Sequence, residues 1–140
     1  MAAVHVVDEY LSSLPGDTRR LGHAEWGVTL DPDAGGGWPL DIGVRIDDGM
    51  LRAQAYALAA HDDLDPWVLL HWNRQTRYVR MACTRSGDVW VHGDLPVQAV
   101  DERAVDRLLG LVVEGALAAR GYARALGAAE ERSGGWLGGP

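Results

Sequence analysis

Trp38-Pro-Leu-Asp-Ile-Gly-Val-Arg-Ile-Asp-Asp-Gly-Met-Leu-Arg-Ala-Gln-Ala-Tyr-Ala-Leu58 holds two alternating runs around one turn. Trp38, Leu40, Ile42, Val44 and Ile46 recur at every second position with Asp41, Arg45 and Asp47 between them, the period of a strand with one buried face. Asp48-Gly49 supplies the positive φ values of a tight hairpin turn, and Met50 to Leu58 returns as the partner strand. Upstream, Ala24, Trp26, Val28 and Leu30 alternate with His23, Glu25, Gly27 and Thr29, which predicts another strand over 23–31. Asp31-Pro-Asp-Ala-Gly-Gly-Gly37 lies between them and reads as a flexible hairpin loop. The three strands form an antiparallel meander.

Helices are expected on both sides of this meander. Val4, Val7, Leu11 and Leu14 repeat at helical spacing and Pro15-Gly16 follows, so a first helix is predicted over about 3–14. Asp65-Pro66 combines an N-cap oxygen with proline at the first helical position, opening a short second helix through Arg74. Tyr78 to Thr84 and Asp88 to Asp94 alternate again around Ser86-Gly87 as a second hairpin. Asp101 opens a third helix, with Val100 and Val105 placed as a hydrophobic staple. Its buried stripe is Val105, Leu108, Leu109, Val112 and Ala116, and its expected end is near Leu126, where Gly127 acts as a stop. Residues 1–127 are thus read as one domain and 128–140 as a flexible C-terminal tail. The order α-β-β-β-α-β-β-α is an α+β architecture, an antiparallel sheet with helices on one face and the other face left to water or a partner.

Composition agrees with a single domain. A chain of 140 residues with 47% apolar and 24% charged content has enough core to fold without staples. No apolar run approaches the roughly 20 residues of a membrane-spanning helix. The opening Met-Ala-Ala-Val-His-Val-Val lacks a basic region and soon meets Asp8 and Glu9, so it does not read as a secretory signal. The lone Cys83 excludes an internal disulfide framework. These features lead to the expectation of a cytoplasmic protein without a membrane partner. The net charge of −7, with arginine as the only basic residue besides histidine, repels phosphate backbones and favours a cationic partner at long range.

Chemical motifs are sparse. His5, His23, His61, His71 and His92 do not stand at spacings that preorganise a zinc site. Asp31-Pro-Asp33-Ala-Gly35 echoes a calcium loop, but the closing Glu falls at Ile42. Gly35-Gly36-Gly37 leads into a strand, so it has no helix N-terminus to offer a phosphate. Cys83 shares a strand parity with Val79 and Met81, which assigns it to the core as a small hydrophobe. No serine has the context of a nucleophile elbow. The expectation is a protein without catalytic residues, metal or cofactor.

Leu69-Leu-His-Trp-Asn73, Arg80-Met-Ala82, Gly87-Asp-Val-Trp90, Asp94-Leu-Pro96 and the long helix from Asp101 together resemble the YbjN-like family, whose fold is similar to that of type III secretion chaperones. The resemblance implies a protein-binding or regulatory role, often as a homodimer, with no agreed catalytic activity. Strand parity then defines a candidate binding face. If Leu51, Ala53, Ala55 and Ala57 point inward, Arg52, Gln54, Tyr56, Tyr78, Arg80, Trp90 and His92 point outward. Arg52, Tyr56, Tyr78, Arg80, Trp90 and His92 are the predicted partner-binding residues, a mixture of aromatic anchors and arginine forks of the kind enriched at protein interfaces. The second helix, apolar nearly all round through Trp67, Leu70 and Trp72, is the predicted dimer contact. The leading reading is a chaperone-like or regulatory adaptor holding a client protein on the sheet face. The acidic balance favours a basic client, including a nucleic-acid-binding protein. The rival reading is a single-stranded nucleic-acid binder that stacks bases on Tyr56, Tyr78 and Trp90 beside Arg52 and Arg80.

Overall fold

The computed structural model of the protein describes residues 2–137, with side-chain surroundings described for 2–127. Its elements are α1 (Ala2–Ser13), β1 (Asp17–Gly22), β2 (Glu25–Leu30), β3 (Leu40–Asp47), β4 (Met50–Leu58), α2 (Pro66–Asn73), β5 (Val79–Cys83), β6 (Val89–Pro96) and α3 (Glu102–Leu137). The strands form one six-stranded sheet in the order β1-β2-β3-β4-β6-β5, and every neighbouring pair is antiparallel. This is the expected α+β architecture with one strand more than the sequence disclosed. β1 escapes pattern reading because Asp17-Thr-Arg-Arg-Leu-Gly22 sits at the sheet edge, almost wholly exposed, where no apolar face selects a period of two.

The core lies on one face of the sheet. Leu40, Ile42 and Val44 of β3, Leu51, Ala53, Ala55 and Ala57 of β4, and Val89 and Val91 of β6 point inward and are buried. α1 covers the β1–β2 side with Val4, Val7 and Leu11, and α3 covers the centre with Val105, Leu108, Val112, Ala116 and Ala119. Small residues let α3 approach closely. A Cβ at Gly93 of β6 would stand 2.7 Å from Leu108 Cδ1, and one at Gly115 of α3 would stand 3.0 Å from Val91 Cγ1. Both helix starts use the expected caps: Asp65 Oδ1 accepts from Trp67 N at 2.9 Å and Asp101 Oδ1 accepts from Ala104 N at 2.8 Å.

Three expectations are corrected. The loop from Asp31 to Pro39 is clamped onto α3, so it is not a flexible hairpin connection. Arg120, only 1% exposed, donates from Nε to Ala57 O at 2.7 Å, from Nη1 to the carbonyls of Gly35 and Trp38, and from Nη2 to Pro39 O at 3.1 Å. Its guanidinium lies 4.4 Å from the centre of the Trp38 ring, and Arg124 donates to Gly36 O at 2.7 Å. Ala57 presents its carbonyl to Arg120 at the point where the β4–β6 register shifts between Tyr56 and Leu58. Burial lowers the pKa of Arg120, opposed by Asp41.

Second, α3 does not stop at Gly127. It continues to Leu137, and the Ala-Ala-Glu-Glu-Arg132 directly after Gly127 is strongly helix-forming, which carries the helix past the roughly 1 kcal/mol that this interior glycine costs. The tail expected over 128–140 is therefore helical through 137, and 138–140 lie outside the described residues. Third, Cys83 is exposed, not part of the core. It ends the outermost strand and borders the groove beside α2, so strand parity there no longer implies burial.

Candidate protein-binding face

With α1 and α3 on one side, the other side of the sheet is uncovered. Strand alternation places Arg19 of β1, Glu25, Gly27 and Thr29 of β2, Asp41, Gly43 and Arg45 of β3, Arg52, Gln54 and Tyr56 of β4, Trp90, His92 and Asp94 of β6, and Arg80 of β5 on this open face. Cross-strand register sets Tyr56 opposite Trp90, and their rings meet edge to face with centroids 5.3 Å apart. Trp90 also neighbours His92, 6.3 Å between ring centres. Asp94 sits between two arginines, 2.8 Å from Arg80 Nη1 and 4.0 Å from Arg52 Nε. Partial burial lowers the pKa of His92, Arg80 lowers it further, and Asp94 opposes both, so the imidazole is held neutral. At the β1 side, Arg19 donates to Thr29 Oγ1 at 3.0 Å and Thr29 donates to Asp41 at 2.6 Å.

Five of the six residues expected on this face are therefore brought together: Arg52, Tyr56, Arg80, Trp90 and His92. Tyr78 is not among them. Its φ of 64° puts it in the left-handed region just before β5, which swings the ring to the helix side, where it lies 5.8 Å from the Arg107 guanidinium of α3. The three-ring stacking platform on which the nucleic-acid reading depended is thus divided between the two sides of the sheet. Asp94 was missed although it continues the parity of Trp90 and His92, so its place was available from the pattern. Arg120 was also legible in part, since it lies four residues beyond Ala116 on the buried stripe.

α2 packs beside β5. Asn73, its last residue, donates from Nδ2 to Met81 O at 3.2 Å and accepts from Met81 N at 2.7 Å, so one amide side chain takes the place of a neighbouring strand. Thr76 donates to Val79 O at 2.6 Å and extends this cover along the edge. Of the three residues expected at a dimer contact, Trp72 turns inward and meets Tyr122 of α3 edge to face at 5.7 Å. Trp67 and Leu70 remain 76% and 54% exposed, and Leu70 lines a mainly apolar groove of about 160 Å³ with Pro66, Leu69, Asn73, Met81, Ala82 and Cys83. Among the described residues, no three His, Cys, Asp or Glu side chains gather as a metal ligand set, and no helix is long and apolar enough to cross a membrane.

The model of the YbjN family, described as "Putative bacterial sensory transduction regulator", matches residues 47–124, from the β3–β4 turn to the middle of α3. No curated protein matches the sequence. Among solved structures, the chain is similar in fold to the Yersinia pestis type III secretion chaperone SycH in complex with a stable fragment of YscM2, with a TM-score of 0.61, 16% identity, and coverage of 83% of this chain and 98% of that one. It is also similar to a chain of the HopA1–SchA chaperone–effector complex, with a TM-score of 0.59, 14% identity, and coverage of 83% and 91%. The sheet and helices thus adopt the fold of type III secretion chaperones.

Proposed function

The chain belongs to the YbjN family, and from that premise we propose that it is a non-catalytic, chaperone-like or regulatory adaptor that holds a client protein on the open face of its sheet. The observation that carries this reading is the uncovered face itself. One side of a six-stranded sheet has neither α1 nor α3 over it, and it presents the Tyr56–Trp90 pair near the end of the β4–β6 ladder, with His92 and Arg80 on the next row and Arg52 on the row beyond. Half-buried aromatic rings and nearby arginines are the side chains that dominate binding energy when a partner excludes water from them. Both similar structures are complexes, one of a chaperone with a stable fragment of another protein and one of a chaperone with an effector, which supports a protein as the occupant here. The net charge of −7 favours a basic client at long range, and the proposed setting is the cytoplasm.

Homodimerisation is part of the proposal. Leu70 lines the apolar groove between α2 and β5, and the exposed Trp67 stands three residues earlier on α2, which supports an apolar patch of the kind a two-fold contact uses. Light scattering is expected to give twice the 15.1 kDa formula mass, falling to the single mass in Leu70→Glu. The client reading is tested by capture from the native lysate with the wild type and with Tyr56→Ala/Trp90→Ala. Loss of a reproducible protein partner in a double variant of unchanged circular dichroism supports it, whereas equal recovery removes the open face as the binding surface.

A further inference from the structure

Near the centre of the open face, two cross-strand rows run side by side. One is Gly43, Gln54, His92 and Arg80, and the other is Glu25, Arg45, Arg52 and Asp94. Between them is a notch of about 240 Å³, floored by Gly43 and the backbone of Val44 and Ala53 and walled by the long side chains of both rows. Gly43 is not demanded by the fold. It does not have a positive φ, and a Cβ built there would find only Gln54 Cγ at 3.9 Å. The contrast is its cross-strand neighbour Gly27, whose missing side chain is replaced by the Arg19 guanidinium at 3.0 Å. A glycine in a strand interior weakens the strand, and where neither turn nor packing requires it, it marks a place where something else approaches the backbone.

The charges around the notch are unbalanced. Arg45 and Arg52 stand directly opposite each other across β3 and β4, a like-charge pairing that destabilises a sheet. Asp94 is engaged mainly by Arg80, at 2.8 Å against 4.0 Å for Arg52. Glu25 is opposite Arg45, yet among the described residues Arg45 makes no ion pair. Three arginines therefore line the notch against two carboxylates, and among the described residues Arg45 has no ion pair and Arg52 only the 4.0 Å contact with Asp94. Gln54 and neutral His92 add neutral hydrogen-bonding groups on the same wall.

We propose that this notch takes the carboxylate of an Asp or Glu side chain in the client segment that crosses the open face, with Arg45 and Arg52 as its fork. The proposal rests on the open-face reading above and adds to it the chemistry that fixes the segment's position. Net charge still sets the long-range preference, so the segment is one of mixed charge: basic overall, with one acidic residue over Gly43. The anion relieves the Arg45–Arg52 repulsion, and its charge-assisted bonds form over a surface from which the segment excludes water.

The test uses the full chain labelled with ¹⁵N and two capped peptides, Lys-Val-Glu-Val-Lys and Lys-Val-Gln-Val-Lys, at low salt. Net charge alone would favour the glutamine peptide on this acidic protein, so a preference for glutamate isolates the notch. The expected result is that the glutamate peptide binds at least about tenfold more tightly and shifts the amides of Gly43, Arg45, Arg52 and His92. Arg45→Gln/Arg52→Gln is expected to abolish the difference, and Gly43→Leu, which fills the notch and keeps both arginines, to do the same. Spectra unchanged elsewhere verify that both variants fold. Equal binding of the two peptides, or glutamate-dependent shifts confined to other surfaces, overturns the proposal. So does inorganic phosphate shifting these amides where the glutamate peptide does not, which would assign the notch to free anions. None of these failures touches the open-face reading, which stands or falls with Tyr56 and Trp90.

Discussion

The two faces of β4 differ in every respect except their backbone. Leu51, Ala53, Ala55 and Ala57 are buried, small enough to admit α3, and closed by Arg120 where the ladder shifts at Ala57. Arg52, Gln54 and Tyr56, one residue out of step, stand on a surface that no helix covers. The buried face has an arginine whose donors bond four backbone carbonyls, while the open face has arginines that contest a single aspartate. One side is thus satisfied from within, and the other retains bonding capacity for a partner. The same element serves packing and recognition because a strand's side chains alternate.

The largest effect is expected on the buried face. Arg120→Met removes the donors of four carbonyls at once and should cost at least about 3 kcal/mol in chemical denaturation, since each unsatisfied buried acceptor costs about 1–3 kcal/mol. Arg120→Lys should recover little, because an ammonium cannot span the same fork. A loss below 1 kcal/mol would show that the loop from Asp31 to Pro39 is held by other contacts. Gly93→Ala is next. Its methyl enters the space of Leu108, and overpacking of this kind should destabilise by about 1–3 kcal/mol.

On the open face the expected changes in stability are smaller. Tyr56→Ala/Trp90→Ala loses an edge-to-face pair worth about 1 kcal/mol beyond the area its two half-buried rings cover, while client affinity falls by tenfold or more. His92 provides a pH test. Its folded pKa lies below 6.5, so between that value and 6.5 the unfolded chain binds the extra proton. The contribution of neutral His92 is complete above 6.5 and is lost as pH falls through the folded value. Wild type should lose stability over that window relative to His92→Gln, and parallel pH profiles would contradict the assignment. The smallest effect is that of Gly43→Ala. With only an ordinary contact to Gln54 Cγ at 3.9 Å and no positive φ, it should leave stability unchanged or raise it by about 0.5 kcal/mol.

The sequence made these two faces legible to unequal degrees. The inward set of β3, β4 and β6 could be read because burial enforces a strict period of two, and the N-caps at Asp65 and Asp101 because their chemistry is local. β1 had no such constraint, as an edge strand with neither face fully buried. Tyr78 was misplaced because alternation presumes extended backbone, and a φ of 64° before β5 leaves no trace in residue type. The role of Arg120 depends on contacts spanning 63 to 85 residues, which no local pattern encodes. Nor does a pattern reveal the notch at Gly43, since the arginines around it come from three strands brought together by register.

The central claim is that a client lies on the open face, and site-specific photo-cross-linking in the native cells tests it most directly. With a photoreactive residue in place of Tyr56, the expected result is a covalent adduct with a second protein. The same residue at Leu70 should instead give an adduct between two copies of this chain. Client adducts that form from Leu70 or from the outer surface of α3, with none from position 56, would contradict the account.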